Sequence, residues 1–125
     1  MRPDGRDAAS LWDMLQAAES IGEFTRGVSL AVYRENQLVR RAVERELEIA
    51  GEAARRISEG YRSAHPEVPW RRIIALRNFV THVYDAVDDE RIWRLAQNEV
   101  PQLAKLLRGL TPEPPPPDSP QDRPD

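Results

Sequence analysis

Residues 35–63, ENQLVRRAVERELEIAGEAARRISEGYRS, decide how the rest of the chain is read. No proline interrupts them, and Val43, Leu47, Ala50, Ala54, Ile57 and Tyr61 step by four and three, with Ala42, Ile49 and Ala53 widening the stripe. That period is helical. The spacing predicts one long helix of ~40 Å, at 1.5 Å per residue, with an apolar face broad enough to meet more than one neighbour. Ala50, Gly51, Ala53 and Ala54 are small enough to let another backbone come close. Arg40, Arg41, Arg45, Arg55 and Arg56 interleave with Glu44, Glu46, Glu48, Glu52 and Glu59, the pattern of a salt-bridged outer surface.

The same period extends to both sides. Towards the N-terminus, Asp7 is the expected cap of a first helix carrying Leu11, Met14, Leu15, Ala18 and Ile21, which Gly22 interrupts. Residues 23–34 read as a short helix or a turn. Towards the C-terminus, His65-Pro66-Glu67-Val68-Pro69 ends the long helix, and Pro69 suits the first position of the next. That helix turns Ile73, Leu76, Val80 and Val83 inward. Residues 85–88 make a turn, and Asp88 caps a last helix through Ile92, Leu95, Ala96, Leu103, Leu107 and Leu110. Pro101 lies inside it, so a kink or local break is expected there. No segment alternates as a strand does. The reading is all-α, an antiparallel bundle of four to five helices over residues 1–110.

Residues 111–125, TPEPPPPDSPQDRPD, are of another kind: they hold seven of the eleven prolines and no hydrophobic side chain. Such a segment cannot offset its ordering entropy by burial, and it reads as a disordered, polyproline-like tail. It is also acidic. Glu113, Asp118, Asp122 and Asp125 face only Arg123, which leaves residues 1–110 with 17 acids and 17 bases. A neutral domain does not hold nucleic acid by bulk positive charge, although a local basic patch remains open. Arginine outnumbers lysine 17 to 1, a bias that suits phosphate contacts and that nucleotide composition also produces.

At 125 residues the chain has room for one domain. Cysteine is absent and the histidines are two, His65 and His82, which excludes disulfides, thiolate zinc and a cysteine nucleophile; no metal and no cofactor are expected. No apolar run nears the ~18–20 residues a bilayer span needs, and MRPDGRDAAS lacks a signal peptide's apolar stretch. The expected location is the cytoplasm.

One constellation rises above this background: Arg77-Asn78-Phe79-Val80-Thr81-His82-Val83-Tyr84. At 100° per residue His82 falls about 140° from the centre of the apolar stripe, facing away from the core. Asn78 lies one turn before it on the same face, and Arg77, Thr81 and Tyr84 follow one flank. By spacing alone this is a solvated surface with a common Arg–Tyr pairing. Phe79 points outward too, and an interface would cover it; in a homodimer two histidines and two arginines would share one cleft. His65, beside Pro66, reads as a solvent-facing loop residue. Arg71 and Arg72, on the first turn of the same helix, either extend a binding surface or are solvated and paired.

The order Arg77, four residues, His82, one residue, Tyr84 resembles the R-x4-H-x-Y motif of the HepT-like ribonuclease toxins, small members of the α-helical HEPN superfamily. Leu11-Trp12-Asp13-Met14-Leu15, Ile49-Ala50-Gly51-Glu52-Ala53-Ala54, Pro69-Trp70 and Ile92-Trp93 agree in order and spacing, so the likeness runs over residues 8–110. Residues 23–34 match poorly, and Ala50 stands where the family more often has a larger aliphatic. The resemblance implies a HEPN-like bundle and a metal-independent endoribonuclease, a homodimer in which Arg77 and His82 of both protomers meet and Asn78 is the polar residue after the arginine. It further implies that a small nucleotidyltransferase antitoxin adds AMP to Tyr84. It leaves Glu52 without a role. Two other readings stay open at this level: an inactive HEPN binding module that partners a nucleotidyltransferase, and a plain helical dimer.

Overall fold

The computed structural model describes residues 2–79 and 88–112. Val80, Thr81, His82, Val83 and Tyr84, the turn expected at 85–87 and the tail from 113 onwards lie outside the described residues, as does the side chain of Phe79. Among the described residues there are seven α-helical segments and no strand: α1 (Gly5–Thr25), α2 (Leu30–Glu35), α3 (Gln37–Arg56), α4 (Glu59–Ala64), α5 (Trp70–Ala75), α6 (Asp89–Arg94) and α7 (Val100–Leu110). A 3-10 turn, Leu76–Phe79, extends α5, and a π turn, Leu95–Glu99, joins α6 to α7. The all-α bundle stands. It has more segments than four or five because two expected helices are divided.

Helix α1 is the centre, packed first against α3 and then against α7. Both neighbours run antiparallel to it. Asp7, near the start of α1, bonds Ser58 beyond the end of α3; Gln97, before α7, reaches Thr25 at the end of α1, while Arg108 in its last turn meets Glu19. Leu11, Met14, Ile21, Val43, Leu47 and Leu107 close the core between the three, none more than 1% exposed. Full burial of such side chains contributes about 2 kcal/mol each.

The long helix breaks at Ile57 and Ser58, where an uninterrupted one was expected. Ser58 caps α4 by accepting the Tyr61 N–H, and the Asp7 carboxylate accepts from both the Ser58 N–H (2.8 Å) and its hydroxyl (2.6 Å). A buried carboxylate from another helix thus holds the new N-terminus open, and periodicity carries no sign of that. Asp7 accordingly is not the cap of α1; Asp4 is, accepting the Asp7 N–H at 2.7 Å. Gly22 does not end α1 either. The helix runs on to Thr25, and Gly27, at φ 69°, turns the chain. Residues 23–34 divide between the end of α1 and α2, which Ser29 caps.

Pro69 sits at the cap position, one residue before α5, and Asp88 caps α6 as expected. Around Pro101 the chain stays helical. The Val100 N–H reaches back five residues to the Leu95 carbonyl, and this wide turn accommodates a ring that would crowd an ordinary α-turn and has no N–H to offer it. Two tryptophans fasten the connections: Trp70 Nε1 donates to the His65 carbonyl at 2.9 Å and Trp93 Nε1 to the Val28 carbonyl at 2.8 Å. No helix among the described residues is long and apolar enough to cross a membrane.

Candidate functional site

Arg77 stands in the 3-10 turn after α5, anchored to the core by the buried Ile73 of α5 and by Leu76, which opens the turn. Opposite is Gly51 of α3. A Cβ at Gly51 would lie 3.3 Å from Arg77 Cβ, Arg77 N and the Ile73 carbonyl oxygen, so the absence of a side chain lets the turn lie on the helix. The next residue, Glu52, accepts a charge-assisted hydrogen bond from Arg77 Nη1 through Oε1. Both side chains remain accessible, 46% and 41% exposed. They face a groove of about 630 Å³ along the outer side of α3, walled by Arg45, Glu48, Ile49, Glu52, Arg55, Arg56 and Arg77.

Four guanidinium groups and two carboxylates on that wall make a local basic surface within a neutral domain. Arg45 pairs with Glu48 at 3.3 Å, and Arg56 reaches Asp13 on α1 at 3.5 Å. Arg55 makes no ion pair among the described residues. The outer face of α3 is therefore only partly the ladder of neighbouring pairs that charge order suggests: Arg40 leaves it for the Tyr33 carbonyl and Asp89, and Glu52 leaves it for Arg77.

Asn78 is exposed beside Arg77 in the same turn. His82 and Tyr84 lie outside the described residues, so the structure brings Arg77 and Asn78 together and is silent on the other two. Arg71 and Arg72 do not line the groove. Arg72 grips Glu99 with a forked pair, Nε to Oε2 at 2.7 Å and Nη2 to Oε1, and the hydrogen bond and charge of Glu99 hold its pKa above the ordinary guanidinium value. His65 is not the solvent-facing residue expected. Its ring lies 4.4 Å from that of Tyr61, it is largely covered, and Nδ1 is 3.5 Å from Glu67. Burial first, then the charges of Glu67 and Asp7, pushes the Tyr61 phenol up. Among the described residues no group of carboxylates and histidines is arranged to hold a metal ion.

The residue that sequence reasoning left without a role is Glu52. The available signal was Gly51, a glycine inside an otherwise strong helix former, which marks where another backbone touches.

A family model described as "Ribonuclease HepT-like" matches residues 14–110. The chain is 37% identical over 97 residues, 78% of its length and 89% of the relative's, to a Methanocaldococcus jannaschii protein named "Putative RNase MJ1380". It is 36% identical over 93 residues, 74% of its length and 84% of the relative's, to a Thermococcus cleftensis protein named "Probable ribonuclease HepT". No solved structure matches the chain with significance.

Proposed function

Because the chain belongs to the HepT-like ribonuclease family, we propose that it is the toxin of a toxin–antitoxin pair, a metal-independent endoribonuclease that cuts RNA with Arg77, Asn78 and His82 at the cleft of a homodimer. The observation that carries this reading is Arg77 itself, half-exposed on the wall of an open basic groove and at the first position of the motif.

The chemistry follows from the groups. A free imidazole, with a pKa near 6.5, exchanges protons around neutral pH, and His82 takes the proton of the RNA 2′-hydroxyl. The freed oxygen attacks the adjacent phosphorus, the bond to the 5′-oxygen breaks, and an imidazolium returns the proton to that leaving oxygen. The Arg77 guanidinium holds the scissile phosphate and offsets the charge that grows on its oxygens. Asn78 supplies an amide beside the same phosphate. The products are a 2′,3′-cyclic phosphate and a 5′-hydroxyl, and DNA, without the nucleophile, is spared. A nucleotidyltransferase antitoxin silences the enzyme by adding AMP to Tyr84, whose new phosphate pairs with Arg77 and blocks the substrate.

The test is cleavage of RNA by the purified protein in excess chelator, with the matching DNA as control. Cleavage that Arg77→Ala and His82→Ala each reduce at least ~100-fold, in variants that keep wild-type helix content and dimer mass, supports the reading. Loss of all cleavage in chelator overturns metal independence. An inert wild type that still binds its nucleotidyltransferase would be an inactive binding module instead. Mass spectrometry after incubation with that partner and ATP is expected to find AMP on Tyr84, with none on Tyr84→Phe.

A further inference from the structure

We propose that Glu52 is a positioning residue for Arg77, and that Gly51 and Glu52 together form the seat that sets the arginine in the groove. The inference rests on the ribonuclease reading. Three observations carry it. At Gly51 the backbone of Arg77 touches α3 so closely that a Cβ would stand 3.3 Å from both its N and its Cβ, which locates the root of the side chain. One residue later, Glu52 Oε1 takes a hydrogen bond from Nη1, which locates the head. The same two groups wall the one groove, so the guanidinium is held where a phosphate can approach it.

The physical need is plain. An arginine side chain has several rotatable bonds, and unrestrained it would sample many orientations at a cost paid again with each substrate. A carboxylate at one nitrogen removes much of that freedom and leaves the guanidinium planar and charged. Glu52 does not set the charge of its partner: Arg77 is cationic whichever group it meets. Its effect is on where the charge sits, and so on the transition state more than on the ground state.

Glu52→Ala is expected to lower kcat roughly 10- to 100-fold with KM changed less than about twofold, while Tm stays near that of the wild type because the pair is exposed. Glu52→Gln keeps an Oε1 acceptor and is expected to recover most of the rate. Gly51→Ala gains helix propensity yet pushes the turn outward, so it is expected to keep Tm and lose kcat. The Nε–Hε resonance of Arg77, assigned by its disappearance in Arg77→Lys, is expected to move to the position of a mobile arginine in Glu52→Ala. An active wild type beside a Glu52→Ala variant of unchanged kcat removes the proposal and leaves the ribonuclease reading. A Glu52→Ala variant that binds RNA more tightly and turns over faster removes it too, because Glu52 would then compete with the phosphate. A wild-type chain that cuts no RNA removes the ribonuclease reading and the catalytic role with it, and the Arg77 resonance still reports whether the seat exists.

Discussion

At Gly27 the backbone takes φ 69°, and nothing stands within 4 Å of where a Cβ would go. The cost of a side chain there is conformational alone. Gly27→Ala is expected to destabilise by about 1 kcal/mol, read as a shift of the urea midpoint at constant m. Arg55 presents the converse case, a charge with space around it. It shares the groove with Arg77 and is exposed, so in the proposed enzyme it meets a phosphate beside the scissile one. Arg55→Ala is expected to raise KM for RNA and to lower the slope of log affinity against log salt by about 1. At this scale the motif singles out Arg77 and Asn78 as candidates, whereas nothing in it points to Glu52 as the partner of Arg77. Glu52 and Arg77 are 25 positions apart, and only the packing of α3 on the turn makes them partners.

Among the elements, the division of α3 from α4 is the most instructive. The apolar stripe runs unbroken through Ile57 to Tyr61, both buried, because the break preserves which side chains face inward. What interrupts the backbone is the Asp7 carboxylate, 51 residues away, at the Ser58 N–H and hydroxyl. Asp7→Ala removes two charge-assisted bonds and strands the cap, and it is expected to cost about 2 kcal/mol in chemical unfolding. The last helix shows the same limit in milder form. Pro101 marks the place of a disturbance, yet whether it becomes a kink, a gap or a π turn depends on what must stay buried. Here Leu95, Ala96 and Val100 all keep their places in the core, and widening one turn achieves that.

Across the whole molecule, charge is distributed so that some carboxylates work against the fold. Burial first, with the charges of Asp89 and Glu48 adding and those of Arg41 and Arg40 opposing, raises the pKa of Glu44 above its ordinary 4.5. The folded chain then holds that proton more tightly than the unfolded chain does. Its stabilising contribution is fully present below pH 4.5 and is lost as the pH rises through the higher folded value. Glu44→Gln is therefore expected to raise Tm at pH 7, with the advantage shrinking as the pH falls through the raised folded value towards 4.5 and gone below it, in paired melting curves across that range. What the sequence alone determined is the class: apolar steps of three and four make helices, Pro69 and Asp88 mark where two of them begin, and one motif names candidate residues. All of these depend on neighbours within a turn or two along the chain. Only the tertiary structure decided where the long helix divides, which carboxylate caps it, and that Gly51 and Glu52 receive Arg77. Those contacts join residues tens of positions apart, and their energies exist only once the helices have packed.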